Sequence, residues 1–311
     1  MSWKVALAVT LVVAAGTAAA SAGSPNLLIP ETSDDTVMLF NGFDGSLINP
    51  TFIVDTDILP FGASSPRNAV VAGNEIWFND NSRDAVYRFS LDGTTFLGAI
   101  DTGLDDTRSL TVVGSTVYVS NDGTSNGAPG DNTVVTIDIP TASITGSFAT
   151  NGEIEDILSF NGGLLINDID NDNLDLYDLN GNFLSTFHDS PGTFNSGFIR
   201  DPQQMTLSSN GILAVSDSFP SGIFEYDLAG NQTNFWLTAA VGNPRGVHEL
   251  GNGNIIFTSA SGVHILDPNN GQITTSHGGV SARYIEPIPE PSSLLLLGLA
   301  GGLVTLRRRS R

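Results

Sequence analysis

Pro66-Arg67-Asn68-Ala69-Val70-Val71-Ala72-Gly73-Asn74-Glu75-Ile76-Trp77-Phe78-Asn79-Asp80, continued by Ala85-Val86-Tyr87-Arg88-Phe89-Ser90-Leu91-Asp92-Gly93-Thr94-Thr95-Phe96-Leu97-Gly98-Ala99-Ile100, decides the fold. It parses as a strand, a Gly turn, a strand ending in Asn-Asp, a loop, a strand, an Asp-Gly turn and a last strand. Each strand run alternates or is rich in β-branched and aromatic residues, and each break carries residues that tight turns require.

The phrase recurs. A second copy starts Thr107-Arg108, turns at Gly114, passes Asn121-Asp122 and ends near Phe148. A third runs from Ile154-Glu155 through Asn161-Gly162, Asn167-Asp168 and Asn180-Gly181 to Phe187. A fourth runs from Pro202-Gln203 through Asn210-Gly211, Ser216-Asp217 and Asp227 to Trp236. A fifth runs from Pro244-Arg245 through Gly251-Asn252-Gly253, Thr258-Ser259 and Asn270-Gly271 to Thr275. With Arg283 as a sixth start, the first positions lie 38 to 48 residues apart, and the second strand ends 13 or 14 residues after each.

Four short strands in roughly 40–45 residues make one blade of a β-propeller. Five copies are complete and the sixth is split. Residues 282–286 read as an inner strand with no followers, while 36–40, the Asp44-Gly45 turn and 47–54 read as outer strands with no inner one. Joining them closes a six-bladed, all-β ring over residues 35–286 and leaves no exposed sheet edge. The blades resemble those of six-bladed NHL/YVTN-type propellers, in which a strand with a Gly turn is followed by spaced Val and Asp positions. A seven-bladed ring and a β-sandwich are the alternative architectures.

Composition narrows the function. The 311 residues hold 33 Asp+Glu against 12 Lys+Arg, a formal net charge of −21, which disfavours nucleic acid as a partner. With no Cys, disulfides, Cys-ligated zinc and a cysteine nucleophile are excluded. Residues 23–286 contain seven Arg and no Lys, so neither a Schiff-base lysine nor a P-loop lysine exists there. No G-x-S-x-G or H-E-x-x-H motif occurs, and His188, His248, His264 and His277 are scattered.

Both ends read as addresses. Lys4, the apolar stretch 5–15 and Ala20-Ser21-Ala22 fit a secretory signal peptide over residues 1–22. At the other end Pro289-Glu290-Pro291 precedes the apolar run 294–306 and then Arg307, Arg308 and Arg309. That run is shorter than the ~20 residues of a usual span, but its place before an Arg cluster argues for a membrane helix with its basic end in the cytoplasm. Residues 287–311 resemble the PEP-CTERM sorting signal of Gram-negative bacteria. The resemblance implies recognition by an exosortase and the secretion machinery, a membrane-tethered intermediate, and delivery to the cell surface or an extracellular polysaccharide matrix.

Two sets of residues are candidates for chemistry. The first repeat position reads Arg283, Arg67, Arg108, Glu155, Gln203, Arg245 around the ring, placing four of the seven arginines at the channel mouth. Guanidinium forks there would take a carboxylate, sulfate or phosphate. The plainer reading pairs them with Glu155, Asp106, Asp156 or Asp201. The second set is Asp168, Asp170 and Asp172, with Asp175 beyond, where alternate carboxylates suggest Ca²⁺. It lacks the Gly and Glu of an EF-hand loop, and turn capping also accounts for Asp168. The Gly-rich loop 121–132 reads either as a gate or as plain surface. The expectation is an exported binding module for an anionic saccharide or small anion, with no catalytic residues identified. The alternative is a metal-dependent, lactonase-like propeller hydrolase or lyase.

Overall fold

Four inner strands open with a pair of residues that the next strand does not match. Register slips between Pro66 and Ala69, Thr107 and Leu110, Pro202 and Met205, and Pro244 and Val247, so the pair between them bulges. A polar side chain on the second strand takes up the freed N–H groups. Asn68 N donates to Asn79 Oδ1 (2.8 Å), Ser109 N to Ser120 Oγ (2.8 Å) and Gly246 N to Thr258 Oγ1 (2.7 Å). In the fourth blade Asn167 Oδ1 accepts from both Glu155 N (2.9 Å) and Asp156 N (2.7 Å). The next residue caps the following turn: Asp80 accepts from Ser82 N and Arg83 N, and Asp168 from Asn171 N. The constant spacing of the repeat is therefore the spacing of a bulge and its two caps.

The computed structural model describes residues 24–57, 62–190 and 198–289. They form six four-stranded antiparallel sheets arranged as a propeller. Blades 2 to 6 are continuous in sequence, with inner strands Pro66–Ala72, Thr107–Val113, Ile157–Phe160, Pro202–Leu207 and Pro244–Glu249. Blade 1 is ordered Glu286–Pro287, Leu27–Glu31, Thr36–Phe40, Leu47–Ile53, so it joins the two ends of the domain. Its Leu27–Glu31 strand lies ahead of residue 35, where the sequence reading began the propeller. Pro30 disguised it: proline has no ladder donor, but its carbonyl accepts from Arg283 N at 2.8 Å. The segment 1–22 and most of the C-terminal signal lie outside the described residues, and no described helix is long and apolar enough to cross a membrane.

Alternation puts one side of every sheet against each neighbouring blade, which yields six separate apolar cores. Trp77, Val86 and Leu110 fill the one between blades 2 and 3, and Leu27, Phe40, Ile256 and Ile285 the one between blades 6 and 1. Each fully buried Leu, Ile or Phe there contributes about 1.5–3 kcal/mol. Closing the ring does not abolish sheet edges, contrary to expectation. The outermost strands remain exposed, as Ser143–Ala149 and Phe183–His188 show. Instead the register shifts between third and fourth strands in all six blades, a bulge that twists the edge away from in-plane pairing.

Candidate functional site: the arginine bowl

The bulges bring the six ring positions to one mouth of the channel, where they divide into two unlike halves. Glu155 is the divider. Its carboxylate accepts from Arg67 Nη1 at 3.1 Å and from Arg108 Nη1 at 2.9 Å. Arg108 also pairs with Glu153, with Asp122 at 2.6 Å and, at 3.9 Å, with Asp106. Burial alone would lower its pKa, but Glu155, Glu153 and Asp122 outweigh that and hold it above the usual arginine value. Asp122 is pushed up to about 7, first by burial and then by Glu153, against the pull of Arg108. This half of the ring is an ion-pair cluster, which answers to the plainer reading of Arg108.

The other half has no such compensation. Arg245 Nη1 donates to Ser281 Oγ (2.8 Å), and no carboxylate touches it among the described residues. The Arg283 guanidinium makes no hydrogen bond or ion pair with any described residue, and its Nε is buried. Burial, then the charges of Arg245 and Arg67, bring Arg283 down to about 10. Burial also lowers Arg245. Three half-buried cations thus converge, and only Arg67 has an acid partner. Gln203, the fifth blade's ring residue, is buried, with its backbone carbonyl accepting from Asn167 Nδ2.

Below the ring the channel is closed. Tyr284 is fully buried, and its hydroxyl reaches from blade 1 across to blade 4, donating to Glu155 Oε2 at 2.9 Å. The ring is therefore a bowl floored by tyrosine. Around that floor runs a belt the sequence reading missed. Four of the six residues that follow a ring position accept an N–H from the next blade: Asn68 from Leu110, Ser109 from Ile157, Asp156 from Met205, Gln204 from Val247. Gly246 breaks the pattern, since a Cβ there would lie 2.6 Å from the Arg283 carbonyl; Gln204 reaches past it to Ile285 N (2.8 Å). The available signal was a polar residue or glycine recurring inside apolar strands.

The three candidate calcium ligands do not converge. Asp168 caps its own turn, Asp170 accepts from Glu153 N, and Asp172 from Asp201 N while facing Arg200. Each carboxylate is drawn to a nearby donor. Among the described residues no group of three or more His, Cys, Asp or Glu is placed to hold a metal ion. Loop 121–132 is tied to the chain ahead of the third blade: Asn126 Nδ2 donates to the Asp101 and Leu104 carbonyls, and Ser125 N to Asp105.

Residues 287–310 match the PEP-CTERM protein-sorting motif. No curated protein matches the chain. Among solved structures, a protein of unknown function from Bacteroides caccae is 13% identical with a TM-score of 0.56, over 86% of this chain and 100% of that one. A chain of a nidogen/laminin complex is 12% identical with a TM-score of 0.61, over 84% of this chain and 97% of that one. A functionally unknown protein from Desulfotomaculum acetoxidans is 13% identical at a TM-score of 0.50, over 81% and 78%. At such identities the likeness is one of fold alone. The chain is a six-bladed β-propeller followed by a PEP-CTERM sorting motif, which implies export and targeting to an exosortase.

Proposed function

We propose that the exported propeller is a binding module whose bowl takes a small anion or an anionic saccharide, presented at the cell surface or in the extracellular matrix after exosortase processing. The observation that carries this reading is the Arg283 guanidinium, which has no acceptor among the described residues although Arg245 and Arg67 lie close enough to lower its pKa. A buried like-charge group is costly unless something of opposite sign offsets it. Guanidinium forks suit a carboxylate, sulfate or phosphate, and a tyrosine floor limits the ligand to a group that fits the mouth. Residues 282–288 run beside Leu27–Glu31, away from the mouth of the bowl.

The test is a thermal-shift series on the purified full chain with uronates, sulfated sugars and phosphates, beside an Arg245→Ala/Arg283→Ala variant. A ligand at about 100 times its Kd should add roughly 2.7 kcal/mol. Stabilisation of the parent and not of the variant supports the reading. If the two respond alike to every anion, the bowl is not the site.

A further inference from the structure

The cavity between blades 5 and 6, at the face away from the bowl, has opposite chemistry. It measures about 230 Å³ and is lined by Asn210, Glu225, Asn234, Trp236, Glu249 and Asn269 over a floor of Leu213, Ile255 and Pro268. No Arg, Lys or His lines it. Glu225 is only 4% exposed, yet it has no cationic partner among the described residues. Neutral donors alone hold it: Asn210 Nδ2 at 3.1 Å, Thr233 Oγ1 at 3.2 Å and Asn234 Nδ2 at 2.5 Å. Glu249 is tethered likewise by Ser209 N and Oγ at 2.5 and 2.6 Å. Trp236, whose N–H goes to the Pro268 carbonyl (3.3 Å), packs on the apolar core between the two blades and also lines the cavity.

We propose that this cavity binds a small organic ammonium ion. Two carboxylates without a counter-cation exclude anions and leave a charge that an ammonium would offset. Glu225 Oε1 and both oxygens of Glu249 each take one donor and keep a lone pair, so both carboxylates can still accept from an N⁺–H. The indole adds a cation–π surface, and the amide carbonyl oxygens of Asn210, Asn234 and Asn269 add neutral acceptors. The volume lies below that of drug-sized pockets, which restricts the ligand to a few heavy atoms or the tip of a longer chain. This site is independent of the bowl and of its proposed anion.

Trp236 supplies the readout, because Trp77 is fully buried elsewhere and Trp3 precedes the propeller. The full chain is titrated with cadaverine and with 1,5-pentanediol, its uncharged counterpart, following tryptophan fluorescence. The expected result is a saturable change with the diamine alone, weakened at least tenfold by Glu249→Gln and abolished by Glu225→Gln. Asp92→Asn, which removes an exposed charge on blade 2, should leave the titration unchanged. Glu249→Gln sits at the cavity rim and keeps an acceptor for Ser209, so it remains informative if Glu225→Gln fails to fold. An equal response to the diol would overturn the proposal. So would a cadaverine response that survives Glu249→Gln or is weakened as much by Asp92→Asn, which would mean diffuse attraction to an acidic protein.

Discussion

At the residue scale, two arginines in the same repeat position have opposite surroundings. Arg108 is enclosed by Glu153, Glu155, Asp122 and Asp106, whereas Arg283 has no acceptor among the described residues. Removing Arg108 would leave several partly buried carboxylates facing one another, and breaking such a cluster costs roughly 3 kcal/mol. Removing Arg283 relieves repulsion with Arg245 and Arg67. Urea unfolding should therefore show Arg108→Ala strongly destabilised and Arg283→Ala unchanged or slightly more stable. Equal losses would mean that Arg283 is held by contacts as firm as those of Arg108. Nothing in the sequence separates the two, because both follow a bulge-opening residue; their partners come from the third and fourth blades in one case and from none in the other.

At the scale of elements, the inner strands carry the belt that links one blade to the next. Neither its Asp156 nor Glu286, which accepts from the belt residues Asn68 and Gln204, has a cationic partner among the described residues. Burial, together with the neighbouring Glu155 charge, lifts Asp156 to about 6 in spite of donors from Ser109 and Met205. Burial and then the charge of Asp156 lift Glu286 to about 8. Both groups bind a proton more tightly folded than unfolded, where values of 3.8 and 4.5 apply. Their contribution to stability is complete below about pH 4 and drains away as pH rises through about 6 and then about 8. The urea midpoint should fall between pH 5 and 8.5, and Glu286→Gln should flatten the upper part of that fall. A slope unaltered by the substitution would assign the pH dependence to other groups. The polar positions of this belt were visible as interruptions of apolar strands, but their acceptor role needed the adjacent blade.

At the scale of the molecule, stability depends on joining the two ends. Ala282 and Ile285 pack into the core between blades 6 and 1, Tyr284 plugs the channel, and Glu286–Pro287 completes the closing sheet. A chain ending at residue 281 loses all four contributions and opens the ring. Its thermal unfolding, followed by circular dichroism, should lose its cooperative transition, whereas a chain ending at Pro289 should keep it. An unchanged melting curve for the shorter chain would show that the blades stand without closure.

The sequence by itself determined the blade repeat, the six-fold ring, the split closure and the sorting motif, because each is written in local terms: strand periodicity, turn residues and a compact terminal signature. It also placed Arg67, Arg108, Glu155, Gln203, Arg245 and Arg283 at one level, since the bulge that orients them recurs at fixed spacing. Only the tertiary structure decided which of these charges meet. Glu155 neutralises arginines from two other blades, Tyr284 crosses the ring to it, and Asp168, Asp170 and Asp172 turn to separate donors. Such pairings depend on distances between segments far apart in the chain. A strand's own pattern specifies which side of the sheet a residue faces, but not what it finds there.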